Sequence, residues 1–266
     1  MSGLLLAGKS AAITGGVTGI GKAITLEFLR QGASVTVNHL DDKISHHHFH
    51  LLRSQVPAQQ KSKLQAVPGD IGLRATGKKL VDAAVSSFGK LNVFVANAGV
   101  SEFREFLDLD PETLSSHIHT NILGTFWSTQ AAAKQFISQH VTEEGTGGGS
   151  IIAISSISAH LGGAQQVHYT PTKAAVLSMM QSQACALGKF GIRCNALLPG
   201  TTRTGLAVED LKNLGKLEYL ERRTPLGRVA EPEDMAGPAV FLASDLSRFV
   251  NGAGIVVDGG ISVSLQ

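Results

Sequence analysis

Short runs of β-branched and aliphatic residues alternate along the chain with longer stretches whose apolar residues recur every three or four positions. The runs predict strands over residues 10–14, 34–38, 64–67, 93–96, 150–155, 193–198 and 255–258, with helices between them. This regular alternation of strand and helix is the mark of repeated βαβ units, so a parallel sheet covered on both faces is expected. Two helix starts are written locally. Asp110-Pro111-Glu112 and Glu231-Pro232-Glu233-Asp234 each put proline at a first helical position with acids at the positive end of the dipole. No linker divides the chain, and the expectation is an α/β protein with a doubly wound parallel seven-stranded sheet in a single domain over residues 1–266.

Two stretches depart from this pattern. Residues 40–63 carry His46, His47, His48 and His50, but adjacent positions on a helix point in different directions. No cysteine or carboxylate stands at ligand spacing from them, so a solvated helix face is expected, with no metal. The glycine run over residues 145–149 leads into a strand rather than a helix, which makes it a surface loop and not a phosphate cradle.

Composition narrows the function. Lys and Arg number 23 against 21 Asp and Glu, the net charge is +2, and no like-charge block occurs, so a nucleic-acid partner is disfavoured. No apolar run approaches the ~20 residues of a membrane helix, and the stretch over residues 4–7 is too short for a signal-peptide core. With only Cys185 and Cys194, a soluble protein in a reducing, cytoplasmic setting is expected. The 30 glycines among 266 residues exceed the average of about 7%, which points to close backbone approaches.

One such approach follows the first strand. Thr14-Gly15-Gly16-Val17-Thr18-Gly19-Ile20-Gly21 opens an amphipathic helix, where a parallel sheet places its anion site. Glycine lets backbone N–H groups approach a diphosphate, and the helix N-terminus adds partial positive charge. Farther along, Tyr169 and Lys173 stand four apart, one helical turn, with Pro171 tolerable in the first turn. A cation beside a phenol favours the phenolate. Bringing the tyrosine pKa from ~10 to ~7 requires about 4 kcal/mol, which two nearby cations together can supply in a desolvated cleft. Ser156 ends the fifth strand thirteen residues before Tyr169, with Ser155 and Ser158 as rivals for the same role.

These spacings resemble the short-chain dehydrogenase/reductase family over essentially the whole chain. Its Thr-Gly-x-x-x-Gly-x-Gly turn is similar to residues 14–21, and its Asn-Asn-Ala-Gly element to Ala96-Asn97-Ala98-Gly99, with Ala96 in place of the first Asn. Asp70 resembles its adenine-contacting acid, and Pro199-Gly200 its turn beside the nicotinamide. The resemblance implies a Rossmann-type fold, a substrate lid at about residues 203–228, and a homo-oligomer, dimer or tetramer, packed through residues 111–140 and 169–190. It implies a catalytic set of Asn121, Ser156, Tyr169 and Lys173, in which Tyr169 exchanges the proton and Ser156 steadies the oxygen. Lys173 binds nicotinamide ribose, and Asn121 holds a water against it. The cofactor set it implies comprises Gly15, Thr18, Gly19, Ile20, Gly21, Asn38, His39, Asp70, Ile71, Asn97, Ala98, Gly99, Tyr169, Lys173, Pro199, Gly200, Thr202 and Thr204. The second strand ends Val37-Asn38-His39-Leu40 with no acid to repel a 2′-phosphate and no Arg or Lys to pair with one; His39 or Thr18 can donate to it, and Asp41 and Asp42 can swing back toward a ribose, so NADP is favoured with NAD possible.

The substrate leaves fewer marks. Ser158 and Gln166, with Ser156 and Tyr169, form a polar set suited to a sugar or polyol, and Glu102 and Arg104 follow the Asn-Ala-Gly turn. Residues 12–21, 37–40, 103–106, 168–173 and 184–189 are similar to a fungal sugar-oxidising subgroup of the family, which implies oxidation of L-rhamnose at its anomeric carbon to the lactone. Residues 40–63 and parts of 203–220 depart from that subgroup. A ketoreductase for a bulkier carbonyl and a non-catalytic nucleotide-sensing regulator are the alternatives.

Overall fold

All seven predicted strands form, each within a residue or two of its expected ends. The computed structural model of the chain describes residues 3–140 and 148–264, so residues 145–147 of the glycine run lie outside the described residues. The strands are β1 (Ser10–Ile13), β2 (Ser34–His39), β3 (Leu64–Pro68), β4 (Val93–Ala96), β5 (Gly149–Ile154), β6 (Ile192–Pro199) and β7 (Gly254–Val257). They lie in the order β3-β2-β1-β4-β5-β6-β7, with every pairing parallel. Order reverses beside β1, whose Ile13 stands between Val37 of β2 and Val95 of β4. At such a reversal the crossovers leave in opposite directions and a crevice opens at the carboxyl ends of the strands.

Two apolar layers sandwich the sheet. On one face α1 (Gly19–Arg30), α2 (Lys43–Gln55) and α9 (Ala236–Ala243) bring Ile24, Phe28, Leu52 and Val240 against Ile13, Val35, Val95 and Ile152. On the other, α3 (Arg74–Phe88), α5 (Thr125–His140) and α6 (Thr170–Leu187) bring Leu80, Phe136 and Met180 against Ala12, Phe94, Ile151 and Leu198. A Cβ added at Gly77 of α3 would come within 2.8 Å of the Ser128 Cα on α5, so that glycine sets how closely the two helices approach. The histidine-rich α2 buries only Leu52, as a solvated face requires.

α4 (Pro111–His117) runs without interruption through π-helical turns at Ile118–Gly124 into α5. The segment after β6 carries α7 (Val208–Leu211) and α8 (Leu214–Arg223). The Asp110 carboxylate accepts from the Thr113 N–H at 2.6 Å and from its hydroxyl at 2.9 Å, closing the first turn of α4. Replacing Asp110 with Ala should therefore cost about 1 kcal/mol. Thermal unfolding is expected to show the melting point falling by about 2–4 °C with the cofactor-binding end unchanged.

Candidate active site

The glycine turn is pinned to β4 from both sides. The Thr14 hydroxyl accepts from the backbone N–H groups of Asn97 and Ala98 at 2.9 Å each, while the Asn97 side-chain amide donates to the carbonyls of Thr14 and Gly15 at 3.0 Å. Gly15 and Gly19 adopt positive φ. A Cβ at Gly21 would lie 2.3 Å from the Gly15 carbonyl oxygen and 2.4 Å from the Asn97 amide nitrogen, so no larger residue fits this brace. Buried Thr25 closes the back of the turn, donating to the Gly16 and Gly21 carbonyls. The cradle is thus lined by backbone at the positive end of α1 and fits a dinucleotide diphosphate.

Opposite the turn, Thr204 of the segment after β6 packs against Gly19, and the Thr202 hydroxyl donates to the Gly200 carbonyl. A cleft of about 470 Å³ lies between them, lined by Gly19, Lys22, Arg203, Thr204 and Leu211 among others. It occupies the diphosphate end of the crevice, away from Tyr169. Gly200 itself abuts Asp258, leaving no room for a side chain after Pro199.

Ser156, Tyr169, Lys173 and Asn121 come together at the carboxyl end of β5. Tyr169 caps α6 in helical conformation and Lys173 follows one turn later, its N–H bonded to the Tyr169 carbonyl at 3.2 Å. The Lys173 ammonium lies 5.6 Å from the centre of the phenol ring and donates to the Ile154 carbonyl at 2.9 Å. Ser156, 9% exposed, lies close enough to the Tyr169 phenol for its hydroxyl to pull that pKa down, and accepts from the Ser158 N–H at 3.1 Å. Its rival Ser155 is turned away, with its hydroxyl bonded to the Lys173 carbonyl.

Asn121 lies in the π-helical segment and is fully engaged. Its Oδ1 accepts from the Val100 N–H, and its Nδ2 donates to the Val100 carbonyl and the Thr172 hydroxyl. The widened turns place this amide, 1% exposed, between the loop after β4 and the first turn of α6.

Electrostatics here run opposite to the expectation of a phenol near neutrality. Burial pushes Tyr169 up to about 12, against a smaller downward pull from the Ser156 hydroxyl. Burial also pulls Lys173 down to about 8. Desolvation is the largest cause of both shifts, with the lysine anchored to the Ile154 carbonyl and 5.6 Å from the ring centre. A positive charge brought into the cleft would act against the upward shift of the phenol.

Nearer the adenosine end the placements diverge. Asp70 accepts from the Gly72 N–H with one oxygen and faces His119 Nε2 at 2.9 Å with the other. His119 was not singled out by spacing, because the contact joins positions 49 apart. Ile71 is buried against Gly124. Asn38 and His39 are both buried, and their side chains face the protein. The Asn38 amide donates to the Val67 and Gly69 carbonyls, and the His39 ring stacks on Phe49 with Nδ1 at 2.7 Å from the Leu40 carbonyl. Thr18 is exposed and Ile20 half-buried.

Among the substrate candidates, Gln166 donates to the Ser101 hydroxyl at 3.4 Å, and Glu102 pairs with Arg104 at 2.9 Å. Behind Tyr169, His168 and His117 are buried edge to face at 4.4 Å. Desolvation, with His117 adding to it, holds His168 below the ordinary imidazole range, against a weaker opposite pull from Glu102.

A phenol, a hydroxyl and an amine gathered beside a backbone-lined diphosphate cradle define a nicotinamide-dependent oxidoreductase. The chain belongs to the short-chain dehydrogenase/reductase family: a family model described as enoyl-(acyl carrier protein) reductase matches residues 15–262. It is an NAD(P)-dependent dehydrogenase of that family. Within the family the chain is 56% identical to L-rhamnose-1-dehydrogenase of Scheffersomyces stipitis over 98% of this chain and 99% of that protein. It is 47% identical to L-rhamnose 1-dehydrogenase (NAD(P)(+)) of Azotobacter vinelandii over 99% of this chain and 100% of that protein. Among solved structures, a gluconate 5-dehydrogenase from Burkholderia cenocepacia in complex with NADP and tartrate superposes with a TM-score of 0.87 at 27% identity, covering 99% of this chain and 98% of that one.

Two outcomes are expected. Gly21→Ala forces the Gly15 carbonyl or the Asn97 amide aside, at a cost of about 1–3 kcal/mol. Thermal melting and NADPH fluorescence titration should register it as lost stability and lost affinity together. Lys173→Met, by contrast, should raise stability while abolishing activity. A lysine whose pKa is about 8 folded and 10.5 free destabilises the fold fully below pH 8, and the cost vanishes as pH rises to 10.5. The gain at pH 7 is at most about 3 kcal/mol, less the lost bond to Ile154, and melting curves at pH 7 and pH 10 should show it shrinking.

Proposed function

We propose that the chain oxidises L-rhamnose at C1 to L-rhamnono-lactone, with NADP favoured and NAD possible as acceptor. The observation that carries this reading is the gathering of Ser156, Tyr169 and Lys173 on one edge of the crevice in a chain 56% identical, end to end, to a rhamnose dehydrogenase. A bound oxidised nicotinamide supplies the hydride acceptor and a positive charge beside the phenol. Tyr169 takes the proton of the anomeric hydroxyl at its phenol oxygen as the C1–H bond breaks and the C1–O bond becomes a carbonyl. Ser156 donates to that same sugar oxygen, holding it against Tyr169. Lys173 orients the nicotinamide ribose and favours the phenolate once the crevice has gained the cofactor's charge. Asn121, fixed to Val100 and Thr172, keeps the loop after β4 against the first turn of α6 and supports a water that returns the proton to solvent.

The rim suits a polyol. Ser158, the Gln166–Ser101 pair and the Glu102–Arg104 pair offer donors and acceptors where a steroid or acyl chain would need apolar contact. A homo-oligomer and a cytoplasmic setting complete the reading. Exposed Phe126 and a hollow of about 330 Å³ bordered by Ala175, Met179 and Gln183 lie on the outer faces of α5 and α6, which supports pairing through these helices. Both cysteines are free thiols, and no helix among the described residues is long and apolar enough to cross a membrane.

A panel of aldoses, polyols and cyclic ketones read at 340 nm with NAD and NADP tests the substrate. L-Rhamnose is expected to give the highest kcat/KM, and turnover of cyclic ketones without L-rhamnose would refute the sugar reading. Tyr169→Phe should retain cofactor binding and lose about 10²–10⁴-fold in kcat. Undiminished turnover in that variant would refute the assigned proton transfer.

A further inference from the structure

The end of β2 is where a dinucleotide's adenine ribose meets a sheet of this kind, yet the two residues expected to read it are engaged elsewhere. The Asn38 amide ties β2 to the carbonyls of Val67 and Gly69, and His39 is buried against Phe49. The Asp42 carboxylate is also engaged, accepting from the N–H and hydroxyl of Ser45 as the cap of α2; the Ser45 N–H holds it below the ordinary carboxylate range. What remains at the rim is a pair that the histidine run concealed. His46 leaves the solvated face of α2 and turns back toward the strand end, its ring edge-on to His39 at 4.9 Å and its Nε2 2.9 Å from Asp41 Oδ1. Both side chains are accessible, His46 at 45% and Asp41 at 71%.

We propose that Asp41 and His46 are the specificity-determining residues for the 2′ position of the adenine ribose, so that the preference between NADP and NAD changes with pH. This rests on the nicotinamide cofactor assigned above. Protonated, His46 is a cation that neutralises Asp41 and pairs with a 2′-phosphate. Neutral, it leaves the Asp41 carboxylate free to accept from a 2′-hydroxyl and to repel a phosphate. Imidazole changes charge within the physiological range, and His46 is the imidazole that combines exposure with a contact to Asp41. The groups facing His46 are His39 from β2, Asp41 and Asp42 from the connecting loop, and Lys43 and His50 one turn before and after it on α2. Lys43 is the one permanent cation of this set, and it sets a floor of phosphate affinity that does not follow the titration.

Equilibrium titration with NADPH and NADH, read by nucleotide fluorescence at pH 6.5 and pH 8.5, tests the proposal without turnover. In the native protein the preference for NADPH should be about threefold to fivefold greater at pH 6.5 than His46→Gln shows, the size of one exposed ion pair. The comparison with His46→Gln cancels the ionisation of the nucleotide phosphate itself. His46→Arg, a permanent cation at an exposed site, should hold NADPH at both pH values, and Asp41→Asn should weaken NADH while strengthening NADPH. A native pH dependence retained in His46→Gln would overturn the assignment and leave the cofactor reading standing. Failure of the native protein to bind either nucleotide would overturn the cofactor reading itself.

Discussion

Four hydrogen bonds across the gap between β1 and β4 hold the site open. Parallel strands that part at a reversal of order leave N–H and C=O groups with no neighbour on one side, and such groups must find partners. Here Thr14 and Asn97 supply them for each other's segments, with one hydroxyl taking two N–H donors and one amide giving to two carbonyls. The glycine turn is thereby fixed at the N-terminal end of α1. Neighbouring segments use this frame: Thr204 packs against Gly19, and the loop after β4 runs on to Val100, where Asn121 takes over.

The reacting groups sit at the dry end of that frame. A buried lysine held near neutrality and a buried phenol held above its ordinary range are each costly on their own, and each destabilises the fold in its own pH window. A cation entering such a crevice acts through low dielectric and moves a phenol far more than it would in water.

The sheet was legible in the sequence because short β-branched and aliphatic runs alternate with amphipathic helical stretches, and both helix starts carried their caps in adjacent residues. Tyr169 and Lys173 were legible for the same reason: one helical turn is a local distance. What escaped depends on tertiary placement. His119 meets Asp70 across 49 positions. The Asn38 amide faces β3, and His46 turns out of an otherwise solvated helix toward His39. The direction of the tyrosine shift escaped too, since spacing reveals the neighbouring cation but not the water excluded around it.

This division has a physical logic that bears on how a family of similar cores acquires different specificities. Groups that carry charge during reaction must be fixed and desolvated, so their spacing is rigid and can be read from the chain. Groups that select between ligands work at the rim, where exchange of one hydrogen bond or one ion pair is worth tenths of a kcal/mol to about 1 kcal/mol and costs the fold little. Residues 40–63 and parts of 203–220, the stretches expected to depart from the rhamnose-oxidising pattern, include His46 beside the end of β2 and Arg203, Thr204 and Leu211 along the cleft at Gly19. The contacts that hold Ser155, Ser156 and Lys173 are made within residues 154–173, so these contacts pass through neither stretch.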